Sequence, residues 1–149
     1  MSNLSEQFSA LIGNIRKRTH AQYAVIGAAI IEEQLFEMLL TKMRPLSRKM
    51  KERLFDGYGP LSTFSAKIDL SYALQILSKS NYDDLMVVRK IRNEFAHSIE
   101  FVNFDSPEIR AHFKHFTTIY ADETDRQAYY LRRLKEIQSD LERTFNAAN

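Results

Sequence analysis

The sequence of 149 residues contains no cysteine and no tryptophan, and only four glycines and three prolines. Without cysteine the chain forms no disulfide, offers no thiol nucleophile and has no cysteine-ligated zinc, and nothing suggests a secreted scaffold. We therefore expect a cytoplasmic protein. The scarcity of glycine and proline favours long helices over a turn-rich β architecture. The longest apolar run, Tyr23 to Ile31, is far too short to cross a membrane, and the first residues lack a signal-peptide layout.

Charge is balanced overall but concentrated locally. The net charge of +2 is too small to indicate a nucleic-acid binder by itself. However, the segment from Lys42 to Arg53 contains six basic residues and a single acid, Glu52, and Arg16-Lys17-Arg18 forms a second basic cluster. Each cluster is either a solvated helix face or a surface for an anionic partner.

Apolar residues recur at helical spacing along most of the chain, which predicts an all-α fold. We expect a single helical bundle of about six helices, forming one domain over residues 1–149. An opening helix over about Leu4–Arg18 precedes a long helix over about His20–Met43. Residues Asp56–Pro60, with two glycines and a proline, predict a tight turn. Phe101–Asp105 is the only plausible extended piece and is expected to form a structured loop.

Several polar residues are typical of helix N-caps. Ser62, Thr63 or Ser65 begins a helix to about Ser78, Asn81 begins the next with Asp83 and Asp84 in its first turn, and Ser106 with Pro107 begins another to about Tyr120. The last helix starts within Asp122–Asp125, and its apolar face is predicted from heptad spacing. That face contains Leu131, Leu134, Gln138, Leu141 and Phe145.

The segment from Arg89 to His97 has the residues that phosphodiester chemistry needs. Arginine binds anions bidentately and stays protonated, and histidine transfers protons near neutral pH. On a helix, Arg89, Asn93 and His97 share one polar stripe, whereas Arg92 lies about 140° from His97. One chain would not direct Arg92 and His97 at the same phosphate, but two antiparallel copies could combine them. The same residues could instead cap the helix, attach the loop that follows through Asn93, and form a subunit interface.

Arg92-Asn93, three further residues and His97 resemble the R-x4-6-H motif of HEPN domains. Those domains are all-α bundles that include many metal-independent endoribonucleases, with a composite site at a dimer interface. The resemblance implies that Arg92, Asn93 and His97 are catalytic residues acting on RNA. His97 would be the general base or acid at the 2′-hydroxyl, and Arg92 would stabilise the phosphorane.

A second resemblance covers more of the chain. The segment Leu54–Leu74, LFDGYGPLSTFSAKIDLSYAL, is similar to the central signature of the MltR (mannitol operon repressor-like) family. In that family a Gly-Pro-Leu turn leads into a helix with a basic residue and a Tyr-x-Leu segment, here Lys67 and Tyr72 to Leu74. With the flanking segments Glu33–Leu40 and Leu85–Phe104, the resemblance spans about Ala21 to Ile109. It implies an all-α fold and, for the family's namesake, repression of transcription without a recognisable DNA-reading module.

Two acidic residues, Glu32 and Glu33, interrupt an apolar helix. We expect one of them to be buried against Lys67, Arg89 or Arg92, because a buried carboxylate needs a partner. Lys67 lies among apolar residues and is expected to extend its amine to the surface. His112 and His115 could begin a metal site, but no carboxylate motif completes it on the same helix, so the sequence predicts neither a metal nor a cofactor.

Together these features predict a non-enzymatic regulatory protein that acts by protein–protein contact, as a transcriptional regulator of mannitol operon repressor type, and they favour a homodimer. The predicted binding or interface residues are Lys67, Tyr58, Arg89, Arg92 and His97. One alternative is the HEPN-type endoribonuclease, and the other is an immunity or antitoxin protein that neutralises a toxin nuclease. No motif for direct DNA reading or membrane insertion is present. The identity of the protein partner, any effector and the dimer face are left open.

Overall fold

The structure of the chain, a computed structural model, describes residues 4–98 and 102–148. These residues form six helices and no strand, which confirms the predicted all-α class. The helices are α1 (Leu4–Thr41), α2 (Arg48–Phe55), α3 (Phe64–Ala73), α4 (Lys79–His97), α5 (Pro107–Phe113) and α6 (Arg126–Ala147). None of them combines the length and the hydropathy that a bilayer crossing requires.

Three of the sequence predictions concern residues that lie partly or wholly outside the described ranges. The side chains of Arg16 and Lys17, in the second basic cluster, lie outside the described residues, as does Phe101. The rest of the predicted extended piece, residues 102–105, forms a loop. That a single domain covers residues 1–149 stays a prediction.

The first two predicted helices are one helix, so the expected break near Thr19 is wrong. No proline occurs between Leu4 and Thr41, so nothing forces a break in the backbone hydrogen bonds. The Thr19 hydroxyl is satisfied within the helix, since its Oγ1 donates to the Ile15 carbonyl at 2.9 Å. At 1.5 Å per residue, α1 is about 57 Å long.

The inner face of α1 lies against α3, α4 and α6. Ile31, Leu35 and Leu39 are fully buried on this face. One turn earlier, small residues bring α6 close. A Cβ placed on Gly27 would lie 2.7 Å from Leu134 Cδ1, and the Tyr130 hydroxyl donates to the Ala24 carbonyl at 2.8 Å. The contact of α1 with α6 therefore depends on the absence of large side chains at this turn.

The predicted tight turn at Asp56–Pro60 is confirmed. Gly57 has φ +58°, in the left-handed region that favours glycine. Gly59 donates its N–H to the Asp56 carbonyl at 2.9 Å, and a Cβ there would lie 2.5 Å from the carbonyl oxygens of Arg53 and Leu54. The turn therefore needs glycine at both positions.

Some predicted helix ends differ from the structure. Thr63 is the cap of α3, as one of the three candidates, but α3 ends at Ala73 rather than Ser78, because Gln75 adopts φ +63°. The cap of α4 is Ser78 and not Asn81. Ser106 and Pro107 begin α5 as predicted, yet that helix ends at Phe113.

Asn81 and Asp84 do not lie at a solvent-exposed helix start, as their sequence pattern suggests. Both are buried within a polar network between α4, α6 and the loop at Thr117. Arg133 Nε donates to Asp84 Oδ2 at 2.6 Å and its Nη2 donates to Asn81 Oδ1 at 2.7 Å. The Thr117 backbone N–H donates to Asp84 Oδ1 at 2.7 Å, and Asn81 Nδ2 donates to Asp140 Oδ2 at 3.0 Å.

This network also corrects the predicted face of the last helix. Asp125 caps α6, within the predicted start. The buried residues of α6 are Tyr130, Arg133, Leu134, Ile137 and Leu141, whereas Phe145 is exposed. The heptad pattern thus locates Leu134 and Leu141 correctly and misses the buried arginine.

We expect Arg133→Ala to lower the free energy of unfolding by about 3–5 kcal/mol, because Asp84 would remain buried without its countercharge. The measurement is urea unfolding followed by circular dichroism. The control is Lys135→Ala, an exposed cation on the same helix, which should change stability by less than about 0.5 kcal/mol. Equal effects of the two substitutions would contradict a stabilising role for the Asp84–Arg133 pair.

Candidate functional site

Charged side chains from three helices meet at one end of the R-x4-H segment. Glu32 of α1 accepts from Lys67 Nζ of α3 at 3.2 Å, and its other oxygen lies 3.7 Å from Arg92 Nη1 of α4. Lys67 Nζ also donates to the Ser62 carbonyl at 3.2 Å. Glu32 therefore carries the single negative charge between two cations, and we refer to Glu32, Lys67 and Arg92 as the polar cluster.

The expected pairing of an acidic residue of α1 with Lys67 or Arg92 is confirmed, and Glu32 is that residue. The expectation that Lys67 reaches the surface is wrong. Lys67 is only 7% exposed, because its amine turns inward to Glu32 and to a backbone carbonyl. The aliphatic part of the Lys67 side chain packs in the core, and the Glu32 carboxylate neutralises the charge of its amine.

Arg92 has further contacts in the fold. Its Nη2 donates to Asn93 Oδ1 at 3.1 Å, and the guanidinium lies 5.0 Å from the centre of the Phe64 ring, a cation–π arrangement. Burial raises the pKa of Tyr130, and the charge of Arg92 opposes that shift. The guanidinium thus pairs with, bonds to or stacks on three different side chains, those of Glu32, Asn93 and Phe64.

His97 is exposed at the last residue of α4. Among the described residues, no hydrogen bond or ion pair joins it to Arg92, as the angular separation on one helix predicts. Arg89 is half-buried, and its Nε has no hydrogen-bond acceptor in the described part of the chain. The structure places Arg92 and Asn93 together and leaves His97 apart. The catalytic assignment of Arg92, Asn93 and His97 stays a prediction.

The loop after α4 is attached by a residue that the sequence did not indicate. His20 of α1, only 4% exposed, accepts the Phe104 N–H on Nδ1 at 3.1 Å, and the two rings lie 5.3 Å apart. The sequence suggests Asn93 for this attachment, but the Oδ1 of Asn93 accepts from Arg92 instead. Nothing in the local sequence marks His20, because its partner is 84 residues away.

Tyr58, another predicted interface residue, lies at the tip of the Asp56–Pro60 turn with its side chain fully exposed. A cleft beside the polar cluster is lined by the aromatic rings of Phe36 and Phe55 and by the carboxylates of Glu33 and Asp56. Asp56, which lines the cleft, and Tyr58 belong to the same turn, so the exposed ring lies two residues from the cleft wall.

A groove between α1 and α6 was also missed by sequence reasoning. Its apolar side chains are Met38, Leu141 and Phe145, and its acidic ones are Glu33, Glu37 and Glu142. Phe145, predicted to belong to the apolar face of the last helix, lines this groove. No local signal marks the groove, because half of its lining comes from α1 and half from α6, far apart in the sequence.

This chain is similar to a known protein family, to two characterised relatives and to one solved structure. The family model described as mannitol repressor (MtlR) matches residues 17–137. The mannitol operon repressors of Escherichia coli strain K12 and of the O6:H1 strain CFT073 are each 25% identical to this chain over 121 residues. Each alignment covers 76% of this chain and 62% of the relative, so the chain spans less than two thirds of the length of these relatives. A chain of the X-ray structure of the MtlR–HPr complex from Escherichia coli matches with a TM-score of 0.47 and 23% identity, covering 82% of this chain and 78% of that chain.

We expect Glu32→Ala to lower the free energy of unfolding by about 2 kcal/mol, because it leaves the buried amine of Lys67 without its carboxylate. The loss is smaller than for a fully buried pair, since the Glu32 side chain is 25% exposed. Thermal and urea unfolding would measure it. Glu33→Ala, at the exposed neighbouring position, is the matched control and should have almost no effect. A loss of the same size in both variants would argue against the polar cluster as a stabilising unit.

Proposed function

This chain belongs to the mannitol repressor family, and from that membership we propose that it is a non-enzymatic regulator of transcription that acts by contact with another protein. The family match over residues 17–137 is the observation that carries the proposal. It confirms the resemblance first drawn from Leu54–Leu74. We propose a cytoplasmic location, and a single domain over the whole chain.

The contacts of Arg92 support a structural role for the R-x4-H segment. An arginine that stabilises a phosphorane needs N–H groups directed at the substrate. Here the guanidinium faces Glu32, Asn93 and the Phe64 ring. This arrangement fits a side chain that orients α4 against α1 and α3.

We propose that the contact surface for the partner is formed by α2 and the turn that follows it. Exposed cations on or next to α2 include Lys42, Arg44, Lys49, Lys51 and Arg53. Arg48 pairs within the helix with Glu52 at 3.0 Å, so the surface retains an excess of positive charge. Such a surface attracts and orients a partner with an acidic face. Tyr58, exposed just beyond it, is one of the residue types enriched among the residues that contribute most to binding at protein interfaces.

Deletion of the gene in the source organism, followed by transcript measurement, tests the regulatory proposal. We expect transcripts of at least one operon to rise and to return to the original level when the wild-type chain is supplied. The variant Lys49→Glu/Lys51→Glu/Arg53→Glu should fold normally and fail to restore repression, because its surface repels an acidic partner. The matched control, Lys90→Glu/Lys114→Glu/Lys135→Glu, reverses three exposed cations elsewhere and should restore it. Unchanged transcripts after deletion would exclude the regulatory role.

RNA cleavage in EDTA tests the alternative that His97 and Arg92 are catalytic. We expect no cleavage by the purified wild-type chain, since Arg92 is engaged within the fold. His97→Ala and Arg92→Ala are assayed in parallel. Metal-independent cleavage that is lost in both variants would establish the endoribonuclease in place of the binding protein.

A further inference from the structure

We propose that the outer face of α1 is a homodimer interface in which two copies of this chain pair their α1 helices antiparallel about Thr19. This inference does not depend on the proposed regulatory role. It rests on the exposed apolar side chains of α1, on their spacing along the helix and on the exposure of its first turns.

Apolar residues of α1 form one exposed stripe on the side opposite the core. At 100° per residue they lie within about 60° of a single line along the helix. The stripe contains Phe8 (57% exposed), Leu11 (52%), Ile12 (64%), Ile15 (55%), Tyr23 (44%), Ile26 (57%) and Ile30 (50%). The stripe has two parts, Phe8–Ile15 and Tyr23–Ile30, which lie on the same line on either side of Thr19. Exposed apolar surface of this extent on a helix marks a contact site.

The first turns of α1 are not covered by the rest of the described chain. Every side chain from Ser5 to Ile12 is exposed, and a Cβ on Gly13 would have no described atom within 4 Å. Among the described side chains of the helix, the first buried one is that of His20. A helical segment of this length is only marginally stable in water by itself, because most helical stability comes from packing. These turns, which we call the arm (residues 4–19), therefore need a partner.

The exposed area matches what a dimer needs. The seven exposed side chains of the stripe present roughly 700 Å² of surface per chain, close to the about 800 Å² that each partner contributes to a stable interface of standard size. Two copies covering each other would remove most of this apolar surface from water.

The spacing of the stripe identifies a second copy as the occupant. Three pairs of apolar residues lie at equal distances on either side of Thr19, namely Phe8 and Ile30, Ile12 and Ile26, and Ile15 and Tyr23. In an antiparallel pair centred on Thr19, each of these residues faces its counterpart in the other chain. This is the self-complementarity that a two-fold symmetric interface requires.

The antiparallel direction follows from where α1 is anchored. Residues 20–41 of α1 carry the buried face of the bundle, whereas no described side chain of the arm is buried. Antiparallel pairing places each arm on the anchored half of the other α1, which is already held in position. Parallel pairing would place one unanchored arm on another and would bring like ends of the two helix dipoles together.

Cysteine cross-linking tests the direction and register, because the chain contains no cysteine of its own. Under mild copper-catalysed oxidation in air, we expect Thr19→Cys to give a disulfide-linked dimer, and Phe8→Cys alone to stay unlinked. The double variant Phe8→Cys/Ile30→Cys should link, since these positions face each other across the two chains. A covalent dimer from Phe8→Cys alone, or no dimer from Thr19→Cys and from the double variant, would overturn the antiparallel arrangement.

Sedimentation equilibrium of the full chain tests the interface itself. We expect the wild type at twice the chain mass of 17.4 kDa, and Ile12→Lys/Ile26→Lys at half the wild-type mass with an unchanged circular dichroism signal over the bundle. The control Ile119→Lys, at an 82% exposed apolar residue outside the stripe, should remain dimeric. A monomeric wild type, or a stripe variant that stays dimeric, would refute the proposal. Flotation of a monomeric wild type with anionic phospholipid vesicles would assign the stripe to a membrane surface instead.

Discussion

The close contact between α1 and α6 at Gly27 determines where the remaining helices lie. Because Leu134 and Tyr130 of α6 approach the α1 backbone at Gly27 and Ala24, the two longest helices form one unit. α4 then packs against α1, with α3 and α5 beside it. A larger side chain at Gly27 would have to displace Leu134 and would separate the two helices.

Two charge networks involve opposite ends of α4, one at its first turns and one towards its last turns. One joins Asp84 and Asn81 to Arg133 of α6, and the other joins Arg92 to Glu32 of α1 and Lys67 of α3. A buried ion pair contributes little net stability over apolar packing, but removal of one partner costs much. The two networks therefore fix the rotation and register of α4 relative to α1, α3 and α6, whereas His97, at the helix end, takes no part in either of them.

The sequence predicted features that depend on nearby residues and missed those that depend on distant ones. Thr63 and Asp125 accept hydrogen bonds from amides two or three residues further along the chain. Ser106 directly precedes the proline that begins α5. All three patterns are local and can therefore be recognised in the sequence. Glycine at positions 57 and 59 indicated the turn for the same reason. Asn81 resembles a cap, yet its partners Arg133 and Asp140 are more than 50 residues away. A cationic partner was predicted for one of Glu32 and Glu33, without saying which, because burial of a lone carboxylate is so unfavourable that it needs a countercharge.

Because α1 is unbroken, its exposed arm and its buried half move as parts of one helix. Its arm extends about 24 Å beyond the first buried turn, so a tilt of about 10° at the bundle displaces its far end by about 4 Å. A rotation of α1 about its own axis turns Glu32 and Ile12 by the same angle, since no proline separates them. Any rotation or tilt of α1 at the polar cluster would therefore also move the exposed stripe of the arm, because one continuous helix connects them.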